Sequence, residues 1–394
     1  MIKVASLQTT IIDDMDLACQ ELADQLSSKL TLLRNSVGIV QCDPEFLEEG
    51  IMETLCGVLP IPLVGGTTIS MATNDAMGRL MFSVLVMTSD DVDFVASCTT
   101  GIADDCAGAL QQAIEGSLKS SKLPLSLAII FPTVTNNTEV PGNVYIEAVE
   151  SVCGEVPVFG TLSVNDSIMQ FERSMSICNT SVSKQEMSYV LIFGDVKPRF
   201  FVSSIPPQLN VIESEAIITK VRDQVICEIN HMPAVRYFED VGFASAGKLN
   251  PGVYFVPMIL TYVDPQGSSH SFVRALVSFD EYGGAVCRAS VPLGSSIAFG
   301  LLSDEGILDA TRELVGLVNK EEDVSAVIFF SCLIRQFNIG SDAMKELSVI
   351  RDTLRNDIPF LASYSGGEIS PMYYRPDNNK KSLFHNYALI ACLI

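Results

Sequence analysis

The chain has 394 residues, of which 48% are apolar, and its 47 acidic and 25 basic residues give a formal net charge of −22. This length is enough for two domains and the apolar share is enough for substantial cores, which excludes a disordered protein. Such an excess of carboxylates repels phosphate backbones and anionic lipid headgroups, so we expect neither nucleic acid nor a membrane surface as a partner.

The N-terminus predicts a cytoplasmic protein. Residues 1–7 lack the basic end, apolar run and cleavage site of a signal peptide, and acidic residues follow between positions 13 and 16. The longest apolar runs, such as Tyr387 to Ile394, are far below the roughly 20 residues that a membrane helix needs. The 11 cysteines contain no Cys-x-x-Cys pair, which predicts buried free thiols and no structural zinc.

Helical and strand-like patterns alternate through the first half of the chain. Apolar residues at helical spacing predict an amphipathic helix from Asp13 to Leu33. The apolar runs Leu80–Val86 and Val92–Cys98 predict a hairpin of two strands. Helical spacing then returns from Ala103 to Leu118, and Pro124 ends it.

The same order of elements recurs in the second half. The pattern predicts strands at Ser271–Phe279 and Ala285–Val291, a helix at Asp304–Asn319 and a strand at Ser325–Ser331. The chain therefore divides into two halves that each combine helices with strands.

The weakest patterning lies between Pro206 and Val221, and we place the domain boundary there. The predicted domains are residues 1–207 and 221–394. We expect an α/β (α+β) fold in which mixed β-sheets are covered by helices and are built from repeated strand–helix–strand–hairpin units.

Three short apolar strands follow a proline and run into small residues. The prolines are Pro62, Pro157 and Pro359. Each lies downstream of another apolar run and a helical segment, which predicts a strand–helix–strand unit. The small-residue loops of such strands should lie at the carboxyl ends of the strands, where ligands commonly bind in α/β folds.

The most informative motif lies in the last thirty residues, where Gly366-Gly367 precedes Glu368 and a later strand carries His385. Two glycines let the backbone approach another group closely, so Glu368 could lie at the edge of a ligand pocket. The alternative is an ordinary loop, since Gly-Gly before an acidic residue is also common in loops. We expect Glu368 and His385 to lie within hydrogen-bonding or one-water distance and to stabilise each other's charged forms.

A thiol and a guanidinium follow the strand that ends near Ser331. Arg335 is either a surface residue or an anchor for an anion, and Arg274, on an apolar strand, is edge-exposed, paired or ligand-binding. Cys332 is either a small packed side chain or a nucleophile with His385 as its base and Glu368 as the orienting group.

The first proline-led strand offers Gly65, Gly66 and Thr67 as further candidates for ligand contact. Neither a Gly-Lys-Ser/Thr phosphate loop nor a Gly-x-Gly-x-x-Gly fingerprint accompanies them, so no nucleotide cofactor is predicted.

These motifs together resemble the FIST sensory module over nearly the whole chain. Residues 366–371 with 384–386 are similar to a Gly-Glu-Ile motif that is followed by a His-Asn strand, and residues 330–335 are similar to a Ser-Cys-x-x-Arg strand end. Residues 228–234 are similar to an Asn-Gly-x-Pro-Ala turn, with His231 at the glycine position. Residues 62–68 are similar to a Gly-rich strand end. The resemblance implies a ligand-sensing module of signalling proteins that binds small molecules such as amino acids.

We therefore expect a cytoplasmic sensor in signal transduction that binds an amino acid or a similar small polar metabolite. The ligand ammonium would contact Glu368, and its carboxylate would contact Arg335 or Arg274. The other residues expected at the site are Gly366, Gly367, His385, Asn386, Cys332, Gly65, Gly66 and Thr67. No metal or cofactor is expected.

No kinase, cyclase or DNA-binding segment is recognisable, so the output is expected through a signalling protein partner or a change in self-association, and a homo-oligomer is possible. Two alternatives stay open. One is an enzyme that uses Cys332 or Glu368 with His385, and the other is a scaffold without a ligand.

Overall fold

The computed structural model describes most of the chain. The described residues are 1–99, 105–133, 142–165, 172–184, 186–204, 210–212, 216–250, 252–253, 256–263, 267, 269–373 and 380–394. Within them no helix is both long enough and apolar enough to cross a membrane.

The helices are distributed over both halves of the chain. They are α1 Met15–Lys29, α2 Pro44–Glu48, α3 Ile51–Val58, α4 Cys106–Leu118, α5 Gly142–Cys153, α6 Ala234–Asp240, α7 Asp304–Val318, α8 Leu333–Ile339 and α9 Lys345–Thr353.

The strands of the first half are β1 Lys3–Thr9, β2 Asn35–Cys42, β3 Leu63–Thr67, β4 Met71–Thr73, β5 Met77–Gly78, β6 Phe82–Ser89, β7 Asp93–Cys98, β8 Leu125–Phe131, β9 Val158–Thr161, β10 Ser176–Cys178, β11 Ser181–Ser183, β12 Ser188–Phe193, β13 Arg199–Ser203 and β14 Asn210–Ile212. Those of the second half are β15 Ile218–Arg222, β16 Val225–Ile229, β17 Met232–Pro233, β18 Ala244–Ser245, β19 Lys248–Leu249, β20 Met258–Val263, β21 Ser269–Arg274, β22 Leu276–Phe279, β23 Ala285–Cys287, β24 Ser296–Leu301, β25 Val327–Cys332, β26 Phe360–Ser365, β27 Glu368–Tyr373, β28 Lys380–His385 and β29 Leu389–Leu393.

The described strands form three large sheets and three smaller ones. Sheet 1 has the order β1-β6-β2-β3-β10-β11, sheet 2 the order β28-β27-β9-β8-β12-β7, and sheet 3 the order β13-β29-β25-β26-β4-β5. Sheet 4 is β14-β24-β20-β21, sheet 5 is β15-β16-β23-β22 with β17 beside β16, and β18 pairs with β19. Parallel and antiparallel pairs occur together in each large sheet, which confirms the predicted mixed α/β class.

Each of the three proline-led strands pairs in parallel with the strand that precedes it along the chain, while the repeated strand–helix–strand–hairpin unit stays a prediction. β3 runs parallel to β2, β9 runs parallel to β8, and β26 runs parallel to β25. Helices lie between the two strands of every pair along the chain, namely α2 and α3, then α5, then α8 and α9. Each second strand begins one residue after its proline, where the missing N–H costs no ladder hydrogen bond.

Local signals set the ends of the predicted helices. The helix predicted from Asp13 is α1, whose N-cap Asp14 accepts a hydrogen bond from Leu17 N at 3.0 Å. The helix predicted from Asp304 is α7, capped in the same way by Ser303. The helix predicted from Ala103 is α4, and the first two residues of that prediction lie outside the described residues.

The predicted hairpin in the first half is wrong. β6 lies between β1 and β2 in sheet 1, whereas β7 forms the edge of sheet 2 beside β12. Every residue of β6 is buried and every residue of β7 is half-buried, which suits a central strand and an edge strand respectively. In the second half, the predicted strand Ser271–Phe279 is split at Ala275 into β21 and β22, which lie in different sheets.

Strands from both halves of the chain lie in the same sheets. In sheet 2, β27 and β28 join β9, and in sheet 3, β4 pairs with β26 and β13 pairs with β29. The aromatic core also crosses between the halves, because the rings of Phe159 and Phe330 stack with centroids 5.2 Å apart. The division into domains 1–207 and 221–394 stays a prediction.

The turn before α6 has the left-handed backbone that its residues favour. Asn230 has a φ of 51° and His231 a φ of 64°. Glycine adopts such angles most easily, so glycine suits this position in the pattern that the sequence resembles, and His231 adopts the same left-handed region here.

Gly65 provides a test of strand packing in sheet 1. It is the parallel partner of Val40, and a Cβ added at Gly65 would collide with the Val40 backbone carbonyl. We expect Gly65→Ala to lower the free energy of unfolding by about 1–3 kcal/mol, because a backbone neighbour cannot move aside. Urea unfolding measures the change.

The control for Gly65→Ala is Gly57→Ala in α3, where nothing lies near the added Cβ. Alanine is the better helix former, so this variant should be more stable by up to about 1 kcal/mol. A Gly65→Ala protein as stable as the wild type would contradict the packing described for β2 and β3.

Candidate functional site

The loops that follow the three proline-led strands meet one another. Val164 N donates to Thr67 O at 2.9 Å, which joins the second loop to the end of the first strand. Leu162 N donates to Gly367 O at 3.0 Å and Gly366 N donates to Leu162 O at 2.9 Å, which joins the second loop to the third. The first-half loops therefore face the second half, as predicted.

The first and third loops are also bonded directly. Thr68 Oγ1 donates to Tyr364 O at 2.7 Å, and Tyr364 N donates to Ser70 O at 3.2 Å. Gln336, on α8, fixes the same loop because its Nε2 donates to Ser70 Oγ at 2.7 Å. The carboxyl ends of the three strands thus form one buried junction.

Glu368 opens β27 at this junction and is fully buried. Its carboxylate Oε2 accepts a hydrogen bond from Ala388 N at 3.3 Å, whereas Oε1 is buried and has no hydrogen-bond partner among the described residues. Burial raises the pKa of Glu368 well above its ordinary value, and the Ala388 N–H, the Ser365 hydroxyl, the Arg335 charge and the Cys332 thiol oppose this only in part.

His385 is the register partner of Glu368 across the β27–β28 pair, but the hydrogen bond of its side chain is made to another residue. His385 Nε2 lies 3.1 Å from Ser370 O, and burial lowers the pKa of His385 to about 4. The prediction that the two side chains stabilise each other's charged forms is wrong. Both groups are removed from water, and desolvation favours the neutral form of each.

Asn386 and Arg274 hold the end of β28 against sheets 4 and 5. Asn386 Oδ1 accepts a hydrogen bond from Ala275 N at 3.1 Å. Arg274 Nε donates to Ser290 O at 3.0 Å, and Arg274 Nη1 donates to Phe384 O at 3.4 Å. Arg274 is 9% exposed, so of the three roles predicted for it the edge-exposed one is wrong.

Arg335 is fully buried and paired with Glu346 of α9, so its predicted surface role is wrong. Arg335 Nε and Nη2 both donate to Glu346 Oε1, at 2.9 and 2.8 Å. The carboxylate also accepts from Thr311 Oγ1 and from Ser331 Oγ, each at 2.9 Å, and Arg335 Nη1 donates to Tyr387 O at 3.4 Å. This network uses the hydrogen-bond donors of the Arg335 guanidinium, which the sequence analysis had assigned to a ligand carboxylate.

Sequence reasoning missed Glu346, although a signal for it was present. Its neighbours Leu347 and Ile350 are buried on the same helix, so an acidic residue among inward-facing positions of α9 indicates a buried partner.

Cys332 ends β25 next to Glu368. Its backbone N–H donates to Ala388 O at 2.8 Å, and its side chain is buried. Burial raises the pKa of the Cys332 thiol, and the Glu368 charge raises it further. Since the thiolate is the nucleophile and His385 bonds Ser370, the described geometry does not assemble the predicted nucleophile–base–orienter set.

Gly65, Gly66 and Thr67 contact other parts of the protein. A Cβ on Gly66 would collide with the Ser163 side chain. Thr67 Oγ1 is buried and accepts a hydrogen bond from Met175 N at 2.9 Å. These three residues shape the junction from the side of the first loop.

The junction thus brings some predicted residues together and separates others. Glu368, Cys332, Gly367 and the charge of Arg335 share one buried region, and the half-buried Gly366 adjoins it. His385, Asn386 and Arg274 lie along β28 and its contacts. Among the residues that the structure describes, no group of three or more His, Cys, Asp or Glu side chains could hold a metal ion.

Comparison with known proteins identifies two family segments. Residues 36–232 match the model of the FIST N domain, and residues 235–371 match the model of the FIST C domain. None of the curated proteins compared with the chain matches it.

One solved structure similar to the chain is that of PurLQS from Thermotoga maritima. The sequence identity is 12% and the TM-score is 0.20, with 100% of this chain and 71% of that chain covered. At this score the likeness carries no argument about fold or function.

Proposed function

The chain belongs to the FIST family of sensory modules, and from that premise we propose that it is a cytoplasmic signalling protein that binds an amino acid or a similar small polar metabolite through Glu368. The ligand ammonium donates to the Glu368 carboxylate. The bound state is passed on to a signalling protein partner or to a change in self-association.

The observation that carries this proposal is the unpartnered oxygen of Glu368. Buried polar atoms nearly always have a hydrogen-bond partner, and an orphaned one costs about 1–3 kcal/mol. Glu368 Oε1 is such an atom within the described residues, and it lies where three strand-end loops meet. Strand ends of this kind are where α/β proteins commonly bind ligands.

The chemistry of this position favours a cationic donor. A buried carboxylate is stable only when it is protonated or paired with a positive charge. The Arg335 guanidinium is engaged by Glu346, so a ligand ammonium is the partner that would complete Glu368. Gly366 is half-buried while its neighbours Ser365 and Gly367 are buried, so access to the site is proposed at Gly366.

Glu368→Gln is the direct test. The variant keeps the volume but removes the charge, so an ammonium ligand should bind about 10- to 150-fold more weakly, which corresponds to about 1.5–3 kcal/mol. Calorimetry with a panel of amino acids measures the affinities. The same substitution at the exposed Glu281 is the control and should leave them unchanged.

The pH dependence of binding checks the same assignment. The raised pKa means that Glu368 of the empty site stays protonated to a higher pH than an exposed glutamate does, whereas the ammonium needs the carboxylate. Affinity should therefore rise about tenfold per pH unit below the pKa of the empty site and level off above it. Tight binding that is insensitive both to pH and to Glu368→Gln would refute Glu368 as the binding residue.

Cys332→Ala separates this function from the enzymatic alternative. In a sensor the thiol only packs, so the variant should bind the ligand like the wild type. An enzyme that used Cys332 would lose turnover while still binding, and an alkylating agent would label Cys332 faster than the other ten of its 11 thiols. The raised pKa of this thiol argues for the sensor.

A further inference from the structure

Two half-buried cysteines from different sheets meet beside β12. Ser176 Oγ, on β10, donates to Ser188 Oγ at 2.9 Å and accepts from Ser188 N at 2.8 Å, so this face of β10 lies on β12. Cys98 is the register partner of Ser188 on β7. Cys178 lies two residues after Ser176 and therefore faces the same way.

The two side chains face the same space between sheets 1 and 2, because Cys98 shares the face of Ser188, which Ser176 contacts, and Cys178 shares the face of Ser176. Burial raises the pKa of both thiols, and the neighbouring Cys178 opposes the rise at Cys98 in part. Both side chains are free thiols of intermediate exposure, so a small oxidant can approach them. Within the described residues, Cys56 of α3 also lies close to Cys178, and Glu186 lies close to both thiols and raises the pKa of each.

We propose that Cys98 and Cys178 are a redox modification site that forms a reversible disulfide between sheets 2 and 1 when the protein meets a peroxide. The bridge joins the edge strand of sheet 2 to β10. Since β10 pairs with β3 at Gly65 and Gly66, the disulfide fixes a strand that adjoins the loop junction. The site is separate from Glu368 and does not depend on the ligand proposed there.

The reaction balances with hydrogen peroxide as the oxidant. The Cys98 thiolate attacks one peroxide oxygen, the O–O bond breaks, and the departing hydroxide takes the thiol proton to become water, which leaves Cys98 as a sulfenic acid. The Cys178 sulfur then attacks the Cys98 sulfur and expels hydroxide, which takes the Cys178 proton. Two thiols and one peroxide give one disulfide and two waters.

We assign Cys98 as the attacking thiol, since Cys178 opposes the rise of its pKa, although Glu186 raises it. Burial raises the pKa of Cys178 to about 12, so Cys178 is less often a thiolate and suits the second step, in which it meets an adjacent sulfenic acid. The high pKa of the pair predicts slower oxidation than that of a solvent-exposed thiol.

Peptide mapping of the full chain tests the site. The protein is treated with hydrogen peroxide, its remaining thiols are alkylated in denaturant, and the digest is analysed without reduction. We expect a linked pair of peptides that contain Cys98 and Cys178, two fewer alkylated thiols than in the untreated protein, and recovery of both with dithiothreitol.

Serine variants supply the controls. Cys98→Ser and Cys178→Ser should each abolish the link, whereas Cys227→Ser, at a half-buried position on β16 of sheet 5, should keep it. A link from Cys178 to Cys56, separate oxidation of Cys98 and Cys178, or retention of both free thiols would each overturn the proposal.

Discussion

Glu346→Ala should lower the free energy of unfolding by about 3–5 kcal/mol, because it leaves the Arg335 guanidinium buried without its counter-charge. Neither side chain of the pair is exposed, and the carboxylate also accepts hydrogen bonds from Thr311 and Ser331. Urea unfolding followed by circular dichroism measures the loss. An effect of this size would make Glu346→Ala one of the most destabilising substitutions in the chain.

The exposed pair on the same helix is the matched control. Arg351 Nε lies 3.1 Å from Asp352 Oδ1, with side chains 32% and 60% exposed, and water screens such a pair. Asp352→Ala should change the stability by less than about 1 kcal/mol. A double variant with Leu at 335 and Met at 346 should recover most of the loss, because it removes both charges together. If Glu346→Ala cost no more than Asp352→Ala, the buried network would not hold α8 and α9 as described.

Local signals explain which parts of the fold were predictable. Asp14 and Ser303 each precede a helical pattern and cap it, and the three prolines mark strand starts. The hairpin failed because no local signal distinguishes a strand that pairs with its neighbour from one that pairs elsewhere. The partners of β6 are β1 and β2, which lie far upstream in the sequence.

The candidate site was also predictable only in part. The glycines before Glu368 identified a residue at a strand end, but the groups that act on its carboxylate come from β25, β26, α8 and the Ala388 backbone, which the motif itself does not specify. The motif therefore predicted an open pocket edge where the structure has a closed junction. Burial also favours the neutral forms of Glu368 and His385, where the sequence predicted charged ones, since desolvation is the largest effect on both pKa values.

Fragments 1–207 and 221–394 should fail to fold when each is produced alone. Without the second half, β9 loses β27, β4 loses β26 and β13 loses β29, so sheet 2 gains an open edge and sheet 3 is lost from that fragment. Unpaired strand edges and exposed core promote aggregation. Size-exclusion chromatography and thermal unfolding of each fragment measure this outcome.

Co-production of the two fragments is the control, since it restores every one of these strand pairs without the covalent connection. We expect the pair to form a soluble complex that unfolds in one cooperative transition, because the stacked rings of Phe159 and Phe330 and the shared sheets join the halves into one core. A monomeric fragment 1–207 that unfolds cooperatively would show instead that the first half folds independently. In that case the shared strands would be added to a complete domain, and a ligand at the loop junction would act by docking the second half onto the first.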